Sequence, residues 1–225
     1  MVDGWRQPSF LDRLAERDRT ALLQLGTPQQ VAAGQSVLRL GEAGADVVVL
    51  EAGYVKVTST DPQAHHVILD IGGRGGLYGE AAVISGRPRM ADVVALSELS
   101  VRRIDADSFI RFLRAHPDAG HQLLVLFACR LSDAQRQRTH TRAPDTVTRV
   151  ARRLAYLVGV CGRNTGSYWQ LEAPLSQEEL AAFIPLGRTA LATALEQLRE
   201  LGVISTRRRG LSVLDLDRLL QLANM

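Results

Sequence analysis

Leu175-Ser-Gln-Glu-Glu-Leu-Ala-Ala-Phe-Ile-Pro-Leu-Gly-Arg188 is the most informative stretch of this 225-residue chain. Ser176 and Glu179 have the spacing of a capping box, in which the serine hydroxyl accepts from the Glu179 amide and the glutamate reaches back to the cap. A helix is therefore expected to start at Gln177, with Leu180 and Phe183 on its buried side. Pro185 cannot continue it, and Gly187 lets the chain turn into a second helix from about Arg188 to Leu201. In that second helix Leu191, Ala194, Leu195 and Leu198 share one face, whereas Arg188, Thr189, Ala192, Thr193 and Glu196 lie opposite.

The outward face is short-chained enough to approach DNA. Arg188 at its start suits the O6 and N7 atoms of guanine, a phosphate contact being the other option, and the threonines can offer a methyl or hydroxyl contact. Just downstream, Val203-Ile204-Ser205-Thr206 and Leu211-Ser212-Val213-Leu214 read as two strands joined by Arg207-Arg208-Arg209-Gly210. The result is a winged helix-turn-helix whose DNA-binding residues are Ser176, Gln177, Gly187, Arg188, Thr189, Ala192, Thr193 and the wing arginines Arg207, Arg208 and Arg209. The wing would meet phosphates, adding salt-sensitive affinity and little sequence discrimination.

Charge distribution agrees. The net charge is only +3, but residues 1–129 hold 13 basic and 15 acidic side chains and residues 130–225 hold 14 and 9. Arg130, Arg136, Arg138, Arg142, Arg149, Arg152 and Arg153 form one basic group, as a phosphate-binding surface requires. Upstream of this, Leu124, Phe127, Ala128, Leu131 and Ala134 recur at three- and four-residue steps on a long helix expected from about Asp118. That stripe can pack on the N-terminal domain and on the same helix of a second subunit, or serve as an ordinary core face. Pro144 ends it, Asp145 or Thr146 can cap a new helix, and Gly162 closes that helix.

Residues 31–104 change character: short apolar or alternating runs such as Val47–Leu50, Tyr54–Thr58, Val67–Ile71 and Val93–Leu96 are separated by glycines, as in a small β-roll. A short helix is expected over Ser9–Leu25 and another around Phe109–Leu113. The fold class is thus α+β, with a β-roll domain over 1–116, a long dimerisation helix over 117–143 and a winged helix-turn-helix domain over 144–225.

This order of parts resembles the cyclic-AMP receptor protein and FNR superfamily of bacterial transcription regulators, and the resemblance covers nearly the whole chain. Besides the helix-turn-helix, it rests on Gly79-Glu80-Ala-Ala-Val-Ile-Ser-Gly-Arg-Pro88-Arg89-Met90-Ala91-Asp92-Val93, similar in spacing to the family's phosphate-binding cassette. The resemblance implies a cyclic-nucleotide-binding-like β-roll. Gly79 would let a phosphate approach the backbone, the amides of Glu80 to Ala82 would open a short helix toward it, Glu80 would accept from a ribose hydroxyl and Arg89 would pair the phosphate. The candidate ligand residues are Gly79, Glu80, Ala81, Arg89, Met90 and Gln135.

Two departures bear on the ligand. Met90 stands where cyclic-AMP-binding members have a serine or threonine, and Ala134 with Gln135 stands where they have the adenine-contacting Thr-Ser pair. The effector is expected to be a cyclic nucleotide, whether cAMP, cGMP or a cyclic dinucleotide, another small ligand, or none in an inherited pocket. The reading helix also diverges: Thr189 and Thr193 replace the family's glutamate and second arginine, so the family's familiar half-site is not implied.

The implied function is sequence-specific control of transcription by a homodimer on double-stranded DNA, with recognition helices about 34 Å apart. RNA polymerase is the further partner if the protein activates. The alternative is a ligand-binding regulatory module acting on a protein partner. No nucleophile–base pair or Gly-Lys-Ser/Thr phosphate loop points to an enzyme, no histidine or cysteine spacing points to a metal site, and Cys129 and Cys161 read as thiols in apolar helices. His65 and His66 read as solvent-facing. No run is long enough to span a membrane and no signal pattern opens the chain, so a cytoplasmic location is expected.

Overall fold

A computed structural model describes residues 8–60, 66–140, 145–184, 186–207 and 210–224, with backbone alone for 66, 136–140 and 207. Pro185, Arg208, Arg209 and His65 lie outside the described residues, as do the side chains of Arg136, Arg138, Arg142 and Arg207. The described residues divide into two compact units, one up to residue 135 and one from residue 136 onward.

The first unit opens with α1 (Phe10–Arg13) and α2 (Glu16–Leu25). One helix was expected here. Instead Ser9 and Asp12 form a capping box on a single turn, and the chain becomes extended at Leu14 before restarting. Two antiparallel sheets follow. One has the order β1-β8-β3-β6, from β1 (Thr27–Val31), β8 (Leu99–Asp105), β3 (Asp46–Ala52) and β6 (Leu77–Tyr78). The other has the order β2-β7-β4-β5, from β2 (Ser36–Leu38), β7 (Asp92–Ala95), β4 (Val55–Thr60) and β5 (His66–Gly72).

β3 is buried on both faces, which explains its unbroken Val-Val-Val-Leu run. Val47 and Val49 enter a core with Phe10, Leu22, Phe109, Phe112 and Leu123, whereas Val48 and Leu50 enter a second core with Val93, Leu99 and Val101. Between β6 and β7 lies the single-turn helix α3 (Glu80–Ser85), bounded by left-handed glycines at 79 and 86. α4 (Ala106–Ala115) starts on an Asp105 cap and carries Phe109 and Phe112 inward. His116-Pro117 then separates it from α5 (Pro117–His140).

The second unit starts with α6 (Thr146–Cys161), whose Asp145 cap accepts from the amides of Val147 and Thr148. Val150, Ala151, Leu154, Leu157 and Val158 are fully buried on its inner face. α6 packs on α8 (Arg188–Glu200) and on α9 (Leu216–Leu222), a C-terminal helix capped by Asp215. α7 (Gln177–Phe183) precedes α8. A four-stranded antiparallel sheet of order β11-β12-β10-β9 flanks them, from β9 (Gly162–Asn164), β10 (Trp169–Leu171), β11 (Ile204–Arg207) and β12 (Gly210–Val213). Among the described residues no helix is long and apolar enough to cross a membrane.

Candidate functional site

The helix-turn-helix forms as its residues dictate. Ser176 and Glu179 complete the capping box, with the Ser176 amide donating to Glu179 Oε2 at 2.9 Å and the Glu179 amide donating to Ser176 Oγ at 3.1 Å. Leu180 and Phe183 are buried beneath α7, and Leu191, Ala194 and Leu198 beneath α8. Ser176, Gln177, Gly187, Arg188, Thr189, Ala192 and Thr193 are all exposed. One detail differs from expectation: Gly187 has φ −60° and a Cβ there would meet nothing, so the turn does not require glycine at this position. Thr193 Oγ1 donates to the Thr189 carbonyl at 3.0 Å, which leaves its methyl group and remaining lone pairs as the outward features. Arg188 pairs with Glu178 across the turn at 2.9 Å, with both side chains largely in solvent.

The wing strands β11 and β12 pair in register Ile204↔Val213 to Arg207↔Gly210. The preceding arginines divide. Arg153 lies over the Phe183 ring at 4.5 Å, and Arg152 Nε donates to the Ala223 carbonyl at 2.6 Å. These two hold the unit together, unlike the phosphate-facing group expected from charge alone. Arg130 leaves that group altogether, because it belongs to the cassette.

Gly79, Glu80 and Arg89 come together in the first unit. Glu80 is 2% exposed and Arg89 is 5%, and these are the two buried charged residues among those described. Arg130 on α5 donates through Nη1 to Glu80 Oε1 and through Nη2 to the Leu77 carbonyl at 3.0 Å. Burial works against the charged Arg130, but Glu80, then Tyr78 and Asp70, more than offset it and hold its guanidinium above the ordinary pKa. Tyr78 is buried, and its phenol is pushed upward by that burial and by Asp70, with Arg130 opposing. Its hydroxyl lies against Gly72 and Gly76, where an added Cβ would fall 1.6 and 2.5 Å from the oxygen.

Arg89 is held from behind. Its Nη1 donates to the Gly79 carbonyl at 2.8 Å, and its Nη2 donates to the Asp46 carbonyl at 2.6 Å and to Asp46 Oδ1 at 2.5 Å. A Cβ at residue 79, where φ is +87°, would lie 2.2 Å from Arg89 Nη1. The missing side chain of Gly79 thus makes room for the arginine as well as allowing the turn. Two polar side-chain atoms remain buried without a hydrogen-bond partner among the described residues: Glu80 Oε2, an acceptor, and Arg89 Nε, a donor. Such atoms are rare in folded proteins and costly, and an incoming group with a hydroxyl and an anionic oxygen has the complementary chemistry.

The other predicted ligand residues are more open. Ala81 is half-buried, Met90 is 68% exposed, and Ala134 and Gln135 are exposed on α5, one turn beyond Arg130. On the same helix Leu124 and Leu131 are 67% and 61% exposed, Ala128 is exposed, and Phe127 packs against the α4 and β3 core. Among the described residues no His, Cys, Asp or Glu cluster could hold a metal. Burial pushes the Cys161 thiol up to about 11, and the Sγ donates to the Leu157 carbonyl at 3.1 Å, so this cysteine is a packed, protonated side chain.

Asp46, Arg103 and Arg130 were not singled out for the pocket from sequence. Asp46 sits in a run of apolar strand residues, where an acidic side chain was the available signal. Arg130 was visible only as one basic residue among many.

Residues 28–116 match the cyclic nucleotide-binding domain family, and residues 148–222 match the Crp-like helix-turn-helix domain family. The chain is similar to a CRP-like cAMP-activated global transcriptional regulator of Mycobacterium tuberculosis, 25% identical over 199 residues that span 88% of this chain and 89% of that protein. Among solved structures it is similar in fold to FixK2 from Bradyrhizobium japonicum, with a TM-score of 0.75, 19% identity, and 88% and 96% of the two chains covered. It is also similar to the c-di-GMP responsive global regulator CLP of Xanthomonas campestris, with a TM-score of 0.72, 18% identity, and 89% and 100% covered.

Proposed function

We propose that this chain, which belongs to the Crp/Fnr superfamily of DNA-binding transcription regulators, works as a homodimer whose DNA affinity is set by a cyclic nucleotide in the 79–90 cassette. The family consists of regulators and not enzymes. The observation that carries the ligand reading is the pair of buried, unpartnered atoms, Glu80 Oε2 and Arg89 Nε, in one cassette. A ribose hydroxyl donating to the first and a cyclic phosphate oxygen accepting from the second would satisfy both.

In this mechanism residues 1–116 form the sensor, 117–143 the dimerisation helix and 144–225 the DNA reader. Glu80 is bonded to Arg130 on α5, so a ligand that reaches Glu80 acts on the helix that carries the dimer contact. A ligand that favours one arrangement of α5 over another shifts the population of the DNA-competent state by its difference in affinity. Leu124, Ala128, Leu131 and Ala134 would meet their equivalents in the second copy, and Phe127 anchors the helix to its own unit. Gly79, Ala81, Met90 and Gln135 border the ligand. Met90 brings no hydroxyl to the phosphate, so Arg89 is the one side chain that carries that contact beside the backbone amides.

On the DNA side, Arg188 reads a base edge from the α8 N-terminus, with Thr189, Ala192 and Thr193 beside it. Ser176, Gln177, Gly187 and the wing residues Arg207, Arg208 and Arg209 hold the backbone. RNA polymerase is the partner where the protein activates, and the cytoplasm is the compartment where these partners meet.

Calorimetric titration with cAMP, cGMP and cyclic di-GMP, repeated on Arg89→Ala, tests the ligand. Binding of one of these by the native protein, weakened at least about 100-fold in the variant, is expected from loss of a charge-assisted contact worth about 3 kcal/mol. Unchanged binding in Arg89→Ala would overturn the assignment.

A further inference from the structure

We infer that Asp46 is a built-in competitor for Arg89, an internal stand-in for the ligand's phosphate that sets how much anion the cassette needs before it is occupied. The inference rests on the cassette being the ligand site.

Three observations carry it. The Asp46 carboxylate is engaged on both oxygens, with Oδ1 on Arg89 at 2.5 Å and Oδ2 on Arg103. The Arg89 guanidinium lies against Gly79, its Nη1 donating to the Gly79 carbonyl and its Nη2 to Asp46, so both terminal nitrogens are already engaged by the protein. The Asp46 carboxylate is also 81% shielded from solvent, since 19% of the side chain is exposed, so its hold on Arg89 is only weakly screened.

Charge bookkeeping points the same way. One carboxylate, Asp46, serves two guanidinium groups, Arg89 and Arg103, while Glu80, with Asp70 also acting on it, serves Arg130. A cyclic phosphate carries one negative charge. Its oxygen meets Nε, the unpartnered nitrogen, with Asp46 in place, but gains Nη2 as well only by taking the guanidinium from Asp46, whose carboxylate must then rest on Arg103 alone. Arg103 is fixed for that role, with Nη2 on the Val37 carbonyl at 3.1 Å and Nε on Gln29 Oε1 at 3.2 Å. The displaced carboxylate therefore keeps a partner, and the exchange leaves no buried charge unpaired.

Opposite signs follow for two substitutions. Asp46→Asn keeps a side-chain oxygen for Arg103 and removes the competing charge, so nucleotide should bind at least about tenfold tighter, for roughly 1.4 kcal/mol. Arg103→Gln leaves the whole Asp46 charge on Arg89, so nucleotide should bind several-fold more weakly. The titrations use cAMP and inorganic phosphate at fixed ionic strength against the native protein, both variants, and Asp46→Asn with Arg89→Ala, in which the gain should vanish. Equal cAMP affinity in native, Asp46→Asn and Arg103→Gln proteins would overturn the Asp46 inference and leave the nucleotide reading standing. Phosphate bound only by Asp46→Asn, with cAMP bound by none, would support Asp46 as the competitor and overturn cAMP as the ligand. Binding of neither probe by any protein would overturn both. Should Asp46→Asn fail to fold, Arg103→Gln decides: weaker cAMP binding supports the inference, and unchanged or tighter binding overturns it.

Discussion

Glu80 and Arg130 show how much one ion pair can organise. Glu80 is nearly inaccessible, has one oxygen on Arg130 and the other without a partner, and sits in the turn that opens α3. Removing Arg130 would strand a buried carboxylate, which costs about 1–3 kcal/mol or forces its protonation. Arg130→Gln should therefore lower unfolding stability by that amount in urea titrations, and adding Glu80→Gln should recover most of the loss. A strictly additive double variant would mean that the two side chains do not depend on one another. The residue scale is also where sequence reading was least complete. Glu80 and Arg89 were legible from their spacing, but spacing cannot say that Arg89 is already bonded to a carboxylate 43 positions earlier. That link comes from β3 and the cassette lying side by side, a fact of tertiary packing.

At the scale of elements, α5 leaves two large apolar side chains open to solvent. Leu124 and Leu131, seven residues apart, project from one face at 67% and 61% exposure, while Phe127 and Leu123 turn inward. Burying two leucines against a second copy gives about 1.5–3 kcal/mol for each. Leu124→Glu with Leu131→Glu should convert a dimer into a monomer in sedimentation experiments while the far-ultraviolet dichroism stays native. A native protein that is monomeric at tens of micromolar would contradict the dimer. Elements differed in legibility for physical reasons. α7 and α8 were readable because a capping box, a proline and a clean apolar face coincide. β1 was not, since Thr-Pro-Gln-Gln-Val is an edge strand with four exposed residues and no alternation. β8 hid because Arg102 and Arg103 interrupt its pattern, although Leu99, Val101 and Ile104 are buried. α9 follows the wing as a helix capped by Asp215, and its burial on α6 depends on a face that sequence alone did not reveal.

For the whole molecule, the proposed function joins a sensor, whose cassette Arg89 is bonded to Asp46, to a DNA reader built on the capped α7 and the apolar face of α8. In the proposed function α8 reads DNA through Arg188, Thr189, Ala192 and Thr193, so discrimination is expected from few side chains and from the shape of the DNA between two half-sites. Glu178 holds Arg188 at 2.9 Å in the free protein, and both side chains are solvated enough for DNA to draw the arginine away at little cost. The most direct measurement is fluorescence anisotropy at about 150 mM salt, comparing a duplex selected from genomic fragments with a random duplex of equal length, for the native protein and Arg188→Ala. The selected site should be an approximate palindrome bound on the order of a thousandfold or more tighter than random DNA. Arg188→Ala should lose about 1–3 kcal/mol of that preference while keeping its affinity for random duplex. Equal binding of selected and random DNA by the native protein, with and without cyclic nucleotide, would contradict the account.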